Sequence, residues 1–115
     1  LYGGEISGSE FGFGLSEDDI TSPGPTLELT QGQETNITFI NMGNLPHAFS
    51  LTDAPEENAD VMFDATVGSA SVPISSDGSD SVVFTPDSAG EYYYICPLPG
   101  HVAAGMWGNV TISEP

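Results

Sequence analysis

The sequence predicts an all-β fold, an antiparallel Greek-key β-sandwich built as one domain over residues 1–115. Three observations predict it. Apolar residues alternate with polar ones wherever a period is visible, which is the pattern of strands with one buried face. Fourteen glycines and nine prolines, with many Ser and Thr, break the chain into short pieces suited to strands and turns rather than long helices. A length of 115 residues supports one modest core but not two.

The elements follow in order. Leu1 to Leu15 is punctuated by glycine, with Phe11, Phe13 and Leu15 alternating, and reads as a first strand. Thr26-Leu-Glu-Leu-Thr30 places Leu27 and Leu29 on one face, and Gln31-Gly32-Gln33 turns the chain. Thr35 to Ile40 turns Ile37 and Phe39 inward, and Ala48 to Thr52 does the same with Phe49 and Leu51. Residues 53–80 are polar and acidic with scattered apolar positions, and are expected to form an excursion with a short helical turn or small strands. Ser81 to Thr85 is a further strand ended by Pro86, and Asp87 to Gly90 is a turn. The tyrosine-rich run Glu91 to Cys96 and the closing run Asn109 to Ser113, with Val110 and Ile112 inward, complete the sandwich.

Charge narrows the function classes. The chain has 17 acidic residues, no Lys and no Arg, and a net charge of −17 at pH 7. Nucleic acid is excluded as a partner, because no side-chain cation faces a phosphate. Two surroundings tolerate such a surface. In strong acid, carboxylates with pKa near ~4 are mostly neutral, and deleting every base removes self-repulsion. In high salt the carboxylates stay charged but screened. The total absence of Arg fits acid better, since salt tolerance gives no reason to exclude it. No apolar run approaches the roughly 18 residues of a membrane span. The abrupt start at Leu1 suggests a mature or trimmed domain from which an N-terminal signal or anchor has been removed.

Chemistry concentrates near the C-terminus, in YYYICPLPGHVAAGMWG, residues 92–108. A tyrosine two residues before a cysteine suggests an immunoglobulin corner, but that fold needs a second Cys and a Trp between the two. Cys96 is alone and Trp107 lies after it. Cys96, His101 and Met106 are instead spaced so that one loop can fold a thiolate, an imidazole and a thioether onto one point. That soft-to-borderline set suits copper in both oxidation states, and one more imidazole would complete a His2Cys plane with a long axial Met. The only other histidine is His47, in NMGNLPH at the mouth of the strand Ala48 to Thr52.

Each of these residues alone has a bland reading, as a surface histidine or a core methionine; together they use up both histidines and the only cysteine. Met42 and Met62 lack the loop spacing and are assigned to packing. A binuclear copper centre would need two cysteines, and a c-type haem needs Cys-x-x-Cys-His. Structural zinc favours more thiolates and no methionine. A Cys–His nucleophile has no orienting group placed by any motif.

The chain resembles the cupredoxins, the type 1 blue copper proteins, from Pro25-Thr-Leu-Glu-Leu-Thr-Gln-Gly through NMGNLPHAF to the last strand. It is most similar to sulfocyanins, with rusticyanins next, proteins of acid-loving iron and sulfur oxidisers. The resemblance implies one copper ion, with His47, Cys96 and His101 equatorial and Met106 axial. It also implies a non-enzymatic electron carrier, extracytoplasmic and monomeric, serving respiratory partners such as a cytochrome or a terminal oxidase.

The residues around these four add expectations. Pro97 and Pro99 stiffen the loop around Leu98, and Gly100 lets it turn before His101. Pro97 has no N–H, so a backbone hydrogen bond to the thiolate must come from Leu98 or Ala48. Few donors, a weak thioether and apolar surroundings favour Cu(I) and a high potential. His101 is expected near the surface within an apolar docking patch of Leu45, Pro46, Leu98, Pro99, Val102 and Ala103. Two other readings remain: a copper-delivery protein on the same fold, and a metal-free adhesion module that leaves the Cys-His-Met spacing unexplained.

Overall fold

A computed structural model describes residues 1–115 and contains nine strands and no helix. They are β1 (Tyr2–Glu5), β2 (Phe11–Gly14), β3 (Leu27–Thr30), β4 (Thr35–Asn41), β5 (Phe49–Thr52), β6 (Val61–Val67), β7 (Ser79–Phe84), β8 (Gly90–Ile95) and β9 (Trp107–Ser113). One sheet has the order β2-β1-β4-β7 and the other β3-β9-β8-β5-β6. The inner faces meet in an aromatic core in which Phe13 stands edge-on to Phe39 and Tyr94, at 5.9 and 4.9 Å between ring centres. The alternating residues Phe39, Phe49, Leu51, Val110 and Ile112 are buried as expected, while Leu27 and Leu29 on edge strand β3 are half-buried.

Two features depart from the sequence reading, and a third decides between its alternatives. The sandwich is mixed rather than antiparallel, because β1 runs parallel to β4 and β3 parallel to β9. Alternation encodes which face is buried and not which way a neighbour runs. Parallel pairs need long crossovers rather than tight turns, and residues 6–34 and 31–106 supply that length.

The expected first strand is a hairpin, β1 and β2, closed where Ile6 N and Ser7 N both donate to Glu10 O. The excursion 53–80 takes the second of its two expected forms, strands and not a helical turn: it carries β6 and leads into β7. Its periodicity is hidden by a bulge, since Phe63 and Asp64 have φ of 59° and 54° and the pairing with β5 slips between Ser50 and Thr52.

The strands converge on one end of the sandwich. β4 and β5 are joined there by residues 42–48, and β8 and β9 by residues 96–106. The first of these segments contains His47, and the second Cys96, His101 and Met106.

Candidate metal centre

The 42–48 segment is wired by Asn41, a fully buried amide at the end of β4. Its Nδ2 donates to Leu45 O and to Ile74 O, each at 2.9 Å, and its Oδ1 accepts from Gly43 N at 2.8 Å. His47 then bridges to Ile74 through both backbone groups, at 3.2 and 2.8 Å. Asn41→Ala would leave Leu45 O and Gly43 N without their partner, while Ile74 O keeps the His47 N–H. At about 1–3 kcal/mol for a buried group left unpaired, a loss of at least about 2 kcal/mol is expected in denaturant melts.

The second loop is tied by its own backbone. Cys96 N donates to Met106 O at 3.1 Å, and Met106 N donates to His101 O at 3.0 Å. His101 N reaches Leu98 O at 3.2 Å, and Ala104 N is shared between Gly100 O and His101 O. These turns hold the three candidate ligand residues of the loop together without help from a metal. Met106 is fully buried.

The side chains meet as expected. His47 Nδ1 lies 3.1 Å from His101 Nδ1, and Cys96 Sγ lies 3.2 Å from His101 Nδ1 and 3.9 Å from His47 Nδ1. Three potential ligand atoms therefore lie within 4.8 Å of one another. Ala48 N donates to Cys96 Sγ at 3.4 Å, one of the two amides anticipated for that role. Phe11 of β2 stands edge-on to both imidazoles, with ring centres 5.7 Å from His47 and 4.8 Å from His101, and shields them from water.

Burial sets the protonation chemistry. It pushes the Cys96 thiol from its ordinary 9.0 up to about 11, with the Leu98 and Ala48 amides pulling weakly back. Burial and the neighbouring His47 hold His101 below the ordinary imidazole value, against the opposing pull of Glu5 and Glu57. Burial likewise raises Tyr94 well above its usual value. A group whose folded pKa is raised contributes stability that is intact below its unfolded pKa and lost as pH climbs through the folded one. The metal-free protein is therefore expected to lose about 3 kcal/mol between pH 9 and about 11 from Cys96. Tyr94 adds a further loss above its ordinary value of 10.0. Melting temperatures across that range check it.

Some placements differ from expectation. Leu98 is 7% exposed and belongs to the core, so it is not part of a surface patch. Packing under the Cys96–Met106 loop is what removes it from solvent. Leu45, Pro46, Pro99 and Ala103 are exposed and Val102 is partly so. Pro97 is half-buried, Gly100 is exposed with φ of 81°, and Ala48 is fully buried. Trp107 packs on Tyr93, with ring centres 6.3 Å apart.

One residue at the site had no signal in the sequence. Glu5 Oε2 accepts from His47 Nε2 at 2.6 Å, the only side-chain contact between a carboxylate and a histidine that the chain forms. Its carboxylate comes from β1, and only the register of β1 on β4 brings it there.

Two imidazoles, a buried thiol and a buried thioether are the donor set that suits copper through its redox cycle. Residues 21–115 match the family model described as the sulfocyanin (SoxE) domain. The chain is a cupredoxin of the sulfocyanin family. It is 36% identical over 93 residues to a rusticyanin of Acidithiobacillus ferrooxidans, covering 76% of this chain and 50% of that protein. It is 31% identical over 100 residues to a sulfocyanin of Sulfolobus acidocaldarius, with the same two coverages. A solved rusticyanin structure superposes with a TM-score of 0.66 at 26% identity, covering 96% of this chain and 86% of that one. The chain thus spans about half the length of these two curated relatives. A cupredoxin of this family holds one copper ion, and the His-Cys-His-Met set is present here to receive it.

Proposed function

We propose that this cupredoxin is a mononuclear type 1 copper electron carrier, not an enzyme, with a reduction potential at the upper end of the blue copper range. His47, Cys96 and His101 would form the equatorial set and Met106 the axial ligand. The observation that carries this reading is the convergence of both Nδ1 atoms on Cys96 Sγ within one buried cluster. The copper would supply a one-electron couple; everything else is the work of the chain. The backbone ties among Cys96, His101 and Met106 keep the donors in place whether or not an electron is present. Phe11 and the core exclude water, and only the Leu98 and Ala48 amides act on the sulfur, which would leave the thiolate charge largely in place. Burial and a weak thioether favour the lower charge state and a high potential.

His101 is partly exposed and would be the point of electron entry and exit, within a docking patch formed by Leu45, Pro46, Pro99, Val102 and Ala103. Redox proteins such as a cytochrome or a terminal oxidase are the proposed partners, in an acidic extracytoplasmic space, with the domain monomeric and held near the membrane by an anchor before residue 1. The absence of every Lys and Arg supports acid over salt.

Addition of Cu(II) is expected to produce an intense visible thiolate-to-copper band that disappears and returns reversibly in a one-electron titration. A copper-delivery protein would bind Cu(I) without that band, and this outcome would replace the carrier reading.

A further inference from the structure

We infer that Glu5 is a positioning residue of the metal centre: its carboxylate fixes the tautomer and ring orientation of His47 and selectively stabilises the oxidised ion. The inference rests on the copper reading above and adds to it a residue from the β1–β2 hairpin, which lies outside the family-model match over residues 21–115.

The geometry is that of a clamp with two jaws. Oε1 accepts from Asn44 N at 2.7 Å and from Leu45 N at 3.2 Å, while Oε2 accepts from His47 Nε2 at 2.6 Å. All three donors belong to the segment that delivers His47. A carboxylate has no proton to give, so the hydrogen of this bond resides on Nε2. In the neutral ring Nδ1 is then bare, and it is Nδ1 that faces Cys96 Sγ and His101 Nδ1. An imidazole whose outer nitrogen donates to a carboxylate is also a stronger electron donor at its inner one.

The backbone makes room for this pair. A Cβ on Gly43 would fall on the Glu5 carboxylate and within 3.0 Å of His47 Nε2, so the segment lies flat against both groups. His47 is fully buried and the chain has no Lys or Arg to compensate the carboxylate. Its charge consequently acts on the imidazole and on whatever the imidazole holds.

The direction of the effect follows. A fixed negative charge stabilises Cu(II) more than Cu(I), so Glu5 holds the potential below the value the apolar site would otherwise set. Gln has one acceptor oxygen where Glu has two, so Glu5→Gln must give up either the 44–45 amides or His47.

The test compares Glu5→Gln with Glu28→Gln, the same loss of charge at an exposed position on β3. Glu5→Gln is expected to weaken Cu(II) binding by about 10–100-fold, the usual effect of removing a partner that orients a metal-binding histidine. Each tenfold by which Cu(II) suffers more than Cu(I) raises the potential by about 59 mV. Glu28→Gln is expected to change neither. Equal shifts in the two variants would show a bulk charge effect and overturn the inference. So would a Glu5→Gln protein that melts earlier but keeps its potential and both affinities, since that is a purely structural role.

A variant-free measurement covers failure to fold. In metal-free natural protein at pH about 8, where an ordinary imidazole is neutral, 15N shifts of His47 should report hydrogen on Nε2 and none on Nδ1. The opposite tautomer overturns the inference. If the natural protein binds no copper, the proposed function fails while this tautomer measurement still decides the role of Glu5.

Discussion

Cys96→Ser is expected to abolish the thiolate-to-copper band and to weaken Cu(I) binding by more than about 100-fold. The magnitude follows by comparison: loss of a residue that merely orients a metal ligand costs about 10–100-fold, and a direct ligand must exceed that. The fold should survive the change. Serine is nearly isosteric with cysteine, and the Ala48 N–H that now points at Sγ at 3.4 Å can donate to the hydroxyl instead. A metal-free melt close to that of the natural protein separates ligand loss from misfolding.

The same substitution tests the protonation chemistry. With the thiol pushed up to about 11, Cys96 carries its proton at any pH below that, and binding a metal through sulfur must expel it. Copper affinity in the natural protein should therefore rise about tenfold per pH unit between pH ~8 and ~10. Cys96→Ser should lose that slope. A natural protein whose affinity is flat across this range does not use Cys96 as a thiolate ligand.

Much of this site was legible in the chain because its residue types are scarce. One cysteine and two histidines leave a single way to assemble a His2Cys set, and Cys96, His101 and Met106 share one loop. His47 was reachable because it sits at the mouth of a strand, and β5 does pair with β8, which delivers Cys96. The inward residues of β4, β5 and β9 were readable for the same reason, since a period of two states burial directly.

What was not legible depends on register and direction. Glu5 is one of 17 acidic residues and lies 42 positions before His47, so nothing local marks it. Only the parallel register of Gly3 opposite Asn41 brings it to the site, and alternation carries no information about that. Leu98 shows the converse error. Flanked by prolines in a loop, it reads as a surface residue, yet the loop's own turns fold it into the core.

Gly108→Ala is expected to destabilise the protein by about 3 kcal/mol, at the upper end of what overpacking costs. Gly108 on β9 stands directly opposite Tyr94 on β8, and the tyrosine ring lies across the glycine so closely that a Cβ would fall on Cε1 and Cζ. The ring has nowhere to go. Its hydroxyl donates to Pro25 O at 2.6 Å, Phe13 packs against it edge-on at 4.9 Å, and it is fully buried. Relief must come from β9 moving, and β9 begins one residue after Met106, whose carbonyl holds the Cys96 amide.

A strand shift there would reach the proposed copper ligands, so the visible band should change along with the melt. Tyr94→Leu alone creates a cavity and leaves Pro25 O without its donor, which also destabilises. Combined with Gly108→Ala, however, it removes the ring that the methyl strikes. The double variant should be about 1–3 kcal/mol more stable than the sum of the two losses predicts, the coupling expected of residues in direct contact. Simple additivity would mean that the ring and the glycine do not depend on one another, and that the close approach of β8 to β9 has another cause.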